Sequence, residues 1–264
     1  MKQSNSRIKK TINLKYLQMK KAFTLFMMSI GVFAINAQVI QTRMLEVPRA
    51  NMAKFVAAAE KKTQLYNSKP GQPRYLTFEI LTGPYANNFI RVQSADSVAE
   101  FDNVDQIGND YWFKTTGDLH NSIGNRMWSL AKSVSYIPDP ANYENLRRVI
   151  YYNFTDAGED DFWRFRERVK KAMEASNYGH RMGVWFCQSG CDGNIVMVRF
   201  HHKDFAGQAA DYGEPLANMI AKYNELYGED AYEQDSDKVD ASLVENGRII
   251  RHYRLRPEMS SPRN

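Results

Sequence analysis

Two hairpin-like segments recur along the chain at a fixed offset, and this constrains the fold more than any other feature. Residues 75–81 alternate along a strand, turn at Gly83-Pro84 and return as residues 89–93. Residues 182–187 do the same, turn through a Gly-rich stretch and return as residues 195–200. Leu76 matches Met182 and Ile90 matches Val196, so both pairs lie 106 residues apart. Alternation with a period of two, bounded by glycine-rich turns, is the pattern of paired antiparallel strands. A supersecondary unit repeated at one spacing implies an internal duplication.

The flanks of the two hairpins agree. Residues 51–67 place Met52, Phe55, Ala59 and Tyr66 along one helical face, and residues 159–177 do so with Phe162, Phe165, Val169 and Met173. A strand precedes each helix, at 39–47 and 148–154. A helical region follows each hairpin. It is irregular over 97–132. In the second half it is clearer: Pro215 sits in the first turn, Leu216, Ile220, Tyr223 and Leu226 follow, and Gly228 ends it. Each half closes with a candidate strand, at 133–137 and 248–255. Pro138-Asp139-Pro140 marks the boundary. The acidic stretch 228–240 lacks the glycine and terminal glutamate of a calcium loop and reads as a solvated connection.

The order is β-α-β-β-α-β, twice, an α+β class built from two ferredoxin-like units with antiparallel sheets, over residues 39–140 and 141–264. In that order of elements the chain resembles the dimeric α/β-barrel superfamily, whose members pack two such sheets face to face. The resemblance implies a barrel closed within one duplicated chain. The superfamily includes small monooxygenases, haem-handling enzymes, stress-response proteins and proteins of no known activity, so the fold alone selects no function.

Residues 1–38 read as an export signal preceded by a basic extension. Lys20 and Lys21 are followed by the apolar run 22–34 and by Asn36-Ala37-Gln38, a small-residue cleavage site. The apolar run is too short for a span of about 20 residues. Translation starts at Met1 or at Met19 on this reading. The chain is expected to be periplasmic or secreted, without a membrane span. The leader carries seven of the 35 Lys and Arg residues and none of the 30 acids, so the remainder has 28 basic against 30 acidic residues. Nucleic acid needs a basic footprint that this remainder lacks, and no nucleic-acid partner is expected.

Cys187 and Cys191 are the only cysteines, spaced across the second hairpin turn beside Ser189, Gly190 and Gly193. Export to an oxidising compartment makes a disulfide the first reading; free thiols and a metal or redox role are the others. Two thiolates need two further ligands for zinc, and His180, His201 and His202 are the nearest in sequence. Alternation sends His201 and His202 to opposite sheet faces. No metal and no cofactor is expected.

Alternation also separates two faces per unit. In the second unit Ile150, Tyr152, Phe154, Met182, Val184, Phe186, Val196, Val198 and Phe200 are expected under the helices, with Tyr151, Asn153, Trp185, Met197, Arg199 and His201 opposite. In the first unit Leu76, Phe78, Ile80, Ile90 and Val92 are assigned to the helices and Thr42, Glu46, Tyr75, Thr77, Glu79, Arg91 and Gln93 to the barrel interior. Enclosed charge needs partners, and aromatic rings beside convergent polar groups are the lining of ligand pockets. Glu79, Arg91, Tyr151, Asn153, Trp185, Arg199 and His201 are therefore the candidate binding residues, for a small polar or anionic ligand between the sheets. A structural polar network or an interface to another chain explains the same pattern. His201 reads first as a hydrogen-bonded strand-end histidine, with a general base as the alternative. Trp163 reads as core, and Trp112 as packing or as a lid over a ligand. No catalytic Ser, zinc-protease, P-loop or dinucleotide motif occurs. The competing readings are a ligand-binding module, a cofactor-independent monooxygenase-like or isomerase enzyme, and a haem-handling protein.

Overall fold

A computed structural model describes residues 39–138 and 144–262. The expected leader and most of the Pro138–Pro140 boundary lie outside these residues. The first half contains β1 (Val39–Glu46), α1 (Met52–Tyr66), β2 (Arg74–Ile80), β3 (Phe89–Ala95), α2 (Gln106–Thr116) and β4 (Asn121–Leu130). The second contains β5 (Leu146–Phe154), α3 (Glu159–Ala175), β6 (Met182–Ser189), β7 (Asn194–His202), α4 (Phe205–Asp211), α5 (Glu214–Tyr227), α6 (Ala231–Ser242) and β8 (Leu243–Leu255).

The strands form one closed barrel in the order β1-β3-β2-β8-β5-β7-β6-β4, with β4 returning to β1. Within each half the order is the same, β4-β1-β3-β2 and β8-β5-β7-β6, the split βαβ arrangement. Two antiparallel seams join the halves: Phe78 opposes Leu255 across β2 and β8, and Trp128 opposes Cys187 across β4 and β6. Closure leaves no unpaired strand edge.

The elements follow from local chemistry. The Asp105 carboxylate accepts from the Gly108 amide and caps α2. Glu159, Asp160 and Asp161 occupy the first turn of α3, where the helix dipole favours negative charge. In the β6–β7 turn Gly190 has φ +82°, and a Cβ there would lie 2.4 Å from the Asn125 carbonyl oxygen of neighbouring β4. The sulfurs of Cys187 and Cys191 are at bonding distance across this turn, with Cα atoms 6.4 Å apart.

Some elements differ from the sequence reading. The closing strand of the first half is residues 121–130, not 133–137; the latter segment contributes only an isolated bridge from Tyr136 to Met182. Its mixed sequence Asn121–Leu130 has an exposed first half, so alternation is faint until Trp128. The acidic connection after Gly228 is helix α6. Its Asp235 is buried, accepting from the Tyr223 hydroxyl at 2.7 Å and from Arg168 at 2.6 Å, with Arg164 at 3.4 Å. Burial pushes this carboxyl up, but the Tyr223 and Arg168 hydrogen bonds outweigh it and hold the pKa below the ordinary value. One buried acid between three donors thus pins α6 to α3 and α5.

Two layers of core result. In the second half, Tyr152, Phe154, Val184, Val196 and Val198 pack beneath Phe162, Phe165, Val169 and Met173 of α3, as expected. In the first half the faces are reversed. Phe78, Ile80 and Val92 point into the barrel, where they meet Trp128, Val149, Trp185, Met197 and Tyr253. The layer under α1 is thin, formed by Leu45, Val47, Phe55, Ala59 and Phe89, and is shared with buried Arg91, Lys62, Thr63 and Thr77.

Candidate functional site

The reversal of the first half places polar strand residues beneath helices. Arg43 of β1 opposes Arg91 of β3, which opposes Thr77 of β2; Tyr75 opposes Gln93. Directly opposite residues share a face, so these side chains form one polar stripe on the outer surface of the sheet. α1 covers it with Lys62, and α2 with Asn109 and Trp112. Between them lies a cavity of about 40 Å³, room for about three water molecules.

Arg91 is the centre of this pocket. It is 6 % exposed, and its guanidinium lies 4.6 Å from the ring centres of both Tyr75 and Trp112. Nη1 donates to Thr77 Oγ1 at 3.0 Å and to the Met259 carbonyl at 3.3 Å; Nη2 donates to Thr63 Oγ1 at 3.4 Å. These partners are neutral. Burial pulls the Arg91 pKa down to about 10; Tyr75 opposes this and Arg43 adds to it. Lys62 sits 4.7 Å above the opposite part of the same site, over the Tyr75 ring, and donates to Asn67 Oδ1 at 2.7 Å. Burial, then the charge of Arg91, brings its pKa down to about 8, with Asp105 opposing. Three cations thus converge on a pocket whose lining contains amides and aromatic rings but no carboxylate. A desolvated guanidinium fork beside an ammonium, with no acid in the lining, is complementary to a small carboxylate or oxyanion.

A second cationic group closes one end of the barrel interior. The Arg199 guanidinium stacks on Trp185 at 4.5 Å. Burial, then Arg181, brings Arg199 down to about 9, and Tyr151 opposes them. His201 is 5 % exposed, and burial followed by Arg147, Arg181 and Arg199 holds it well below the ordinary histidine range, so it is neutral at pH 7. Tyr151, deeper in the barrel, shares a hydrogen bond of 3.1 Å with the Tyr253 hydroxyl.

The seven sequence-selected residues therefore do not form one site. Arg199 and His201 lie toward one end of the barrel, with Trp185 and Tyr151 in the next row inward, on either side of Met197. Asn153 is at the other end of β5: His201 opposes Arg147, six residues away, or roughly 20 Å along the strand. Glu79 and Arg91 lie outside the barrel, and Glu79 pairs with Arg256 at 3.3 Å rather than with Arg91 or Arg199. Lys62 was not selected. Its only sequence signal is a lysine at the helical position between the buried Ala59 and the buried Thr63 and Asn67. Trp112 is on helix α2 and lines the pocket.

No protein-family model matches the sequence, and no curated protein matches it. Among solved structures the chain is similar to a presumed monooxygenase from Lactobacillus acidophilus (TM-score 0.55, 12% identity, covering 83% of this chain and 94% of that one). It is similar to an anthrone oxidase-like protein (TM-score 0.51, 10% identity, 84% and 93%). A variant of chlorite dismutase from Candidatus Nitrospira defluvii is a third such structure (TM-score 0.52, 10% identity, 85% and 94%). The fold is the dimeric α/β barrel, duplicated within one chain. At this identity the likeness concerns architecture alone, and chemistry has to be argued from the residues present.

A haem needs a flat slot beside an axial histidine. The His180 and His202 rings lie 5.0 Å apart, and Met182, two residues from His180, is fully buried. The rings of His120 and His252 rest on Phe55 and Phe205 at 5.2 Å each. No described helix is long and apolar enough to cross a membrane.

Proposed function

We propose that this chain is an exported protein that binds a small anion, a carboxylate or inorganic oxyanion, in the pocket beneath α1 and α2. The observation that carries the reading is Arg91: buried, stacked between Tyr75 and Trp112, bonded only to neutral acceptors, with Lys62 and Arg43 beside it and no acid in the lining. Buried charge without a counter-charge is costly, and an anion entering the site relieves that cost. The size of the cavity favours a ligand of a few heavy atoms over a drug-sized one.

The test is calorimetric titration with acetate, oxalate, nitrite and phosphate. The pH dependence follows from Lys62. In the free protein this amine loses its proton as pH rises through about 8. An anion binds the protonated form better, so affinity is expected to fall by about tenfold between pH 7 and pH 9.5. Lys62→Met is expected to bind more weakly at pH 7 and to show a flat profile over this range. Binding that is independent of pH in the unsubstituted protein removes Lys62 from the site.

A second reading places the anion at the end of the barrel, on Arg199. It is supported by Arg199 and His201, both buried, with Arg181 acting on each of them electrostatically. Cofactor-independent oxidation, by analogy with the monooxygenase-like structures, rests on the fold and not on any group in the pocket. Export is supported by the leader pattern and by the cysteine pair at bonding distance. Mass spectrometry of protein recovered from the producing cell is expected to find an N-terminus at Gln38 or Val39 and a Cys187–Cys191 peptide two protons lighter than its reduced form. An intact Met1 or Met19 terminus, or two alkylatable thiols, overturns it.

A further inference from the structure

On the far side of the molecule from the anion pocket, three potential ligands come together from three separate elements. His180 lies in the loop between α3 and β6, His202 is the last residue of β7, and Asp211 is the last residue of α4. One ligating atom from each lies within 4.8 Å of the other two. His202 is 1 % exposed and Asp211 8 %. The carboxylate of Glu144, immediately before β5, is 3.6 Å from His180 Nδ1.

Hydrogen bonding within the group does not account for the arrangement. Nδ1 of His180, Nδ1 of His202 and Oδ1 of Asp211 are all buried and lack a hydrogen-bond partner. His180 Nε2 and Asp211 Oδ1 are 3.7 Å apart, beyond hydrogen-bond length. Buried polar atoms are nearly always satisfied, and an unsatisfied atom on each of the three clustered residues calls for a missing partner. A cation with open coordination positions satisfies imidazole nitrogens and a carboxylate oxygen at once. A buried water can donate to two of these acceptors; a metal ion takes a lone pair from all three and also balances the carboxylate charge.

We propose that His180, His202 and Asp211 form a binding site for a divalent first-row transition metal, with Glu144 placed to complete the set. Two imidazoles and a carboxylate are a borderline nitrogen–oxygen donor set that suits zinc, cobalt and iron(II) rather than calcium or magnesium. Ligands at about 2.1 Å in tetrahedral geometry stand about 3.4 Å apart, so the group closes by about 1.4 Å at most on binding. Tyr178 supports the arrangement from behind: its hydroxyl hydrogen-bonds to Asp211, the way outer partners orient ligating carboxylates. Arg147 and Arg148 act on His202 electrostatically and oppose the ion's charge. Asp211 and Glu144 offset them.

The test uses the folded, chelator-treated chain and zinc alone, measured by competition with a chromophoric indicator. One equivalent per chain is expected, with unfolding shifted to higher temperature. His180→Ala and Asp211→Asn are each expected to weaken binding by at least about 10–100-fold. The His180 side chain is 23 % exposed, and Asp211→Asn preserves shape, so both variants are expected to fold. Cobalt(II) provides a second readout: its visible absorption in the unsubstituted protein should report nitrogen–oxygen ligation and be lost in both variants. A folded chain that takes up no stoichiometric zinc overturns the site. Equal zinc affinity in the unsubstituted protein and both variants overturns it as well.

Discussion

Phe162→Ala is expected to destabilise the chain by about 3–5 kcal/mol, the range for truncating a large aromatic residue in a closed core. Phe162 is 0 % exposed. Its ring stacks on Phe154 at 4.7 Å and meets Tyr152 at 5.4 Å and Trp163 at 5.2 Å. The Arg166 guanidinium, itself buried, lies 5.6 Å from the same ring. Truncation therefore removes transfer energy, leaves a cavity between α3 and the β5 face, and takes away part of the aromatic bed on which a buried charge rests. Neighbours from a rigid strand and a helix pinned by Asp235 have little room to collapse into the space. At about 2–4 °C per kcal/mol for a chain of this size, the unfolding midpoint is expected to fall by about 6–20 °C. A midpoint within 2 °C of the unsubstituted protein would mean that α3 does not pack on this face.

The contrast between the halves explains what was legible in the sequence. The duplication, the strand-helix order and the hairpins were legible because they depend on local periodicity, which survives sequence divergence. The second half also announced its faces. Ile150, Tyr152 and Phe154 match the apolar stripe of α3, and only one assembly buries both. The first half offered no such match. Leu76, Phe78, Ile80, Ile90 and Val92 are separated from Tyr75, Thr77, Glu79, Arg91 and Gln93 by alternation, but alternation divides a strand without saying which side faces a helix. In a closed barrel both sides are covered. The apolar set entered the barrel because Trp128, Trp185 and Met197 from other strands await it there, a contact between positions 36 to 121 residues apart.

The same limit applies to the sites. Arg91 was marked as a charge in need of a partner, but the groups around it come from α1, α2 and the segment near Met259, which no local pattern connects. His180, His202 and Asp211 lie on a loop, a strand end and a short helix. The sequence shows only that His201 and His202 point to opposite faces. That placed His202 outside the barrel without revealing what it meets there.

Arg91→Met is expected to abolish anion binding in the pocket beneath α1 and α2 while leaving the fold intact. The loss follows from the removal of the central charge and its two-pronged donor. Truncating a desolvated, hydrogen-bonded charge at a binding site costs about 2–5 kcal/mol, which is about 30-fold to several-thousand-fold in affinity. Folding is spared because the groups Arg91 touches remain satisfied. The Met259 carbonyl still accepts from Thr77 Oγ1 at 2.9 Å and from Thr63 Oγ1 at 3.3 Å. The methionine side chain fills the slot between Tyr75 and Trp112, and the cost of burying a charge disappears with the guanidinium. The loss of two cation–aromatic contacts, each worth about 0.5–2 kcal/mol, works in the other direction. The unfolding midpoint is therefore expected to move by only a few degrees. Arg91→Lys keeps a charge but not the planar fork, and should bind with intermediate affinity. Arg199→Met is the matched control, since Arg199 is also stacked on an aromatic ring, at the end of the barrel. Anion binding lost in Arg91→Met and kept in Arg199→Met places the ligand under the helices. The opposite result moves it into the barrel and refutes the pocket on which this reading rests.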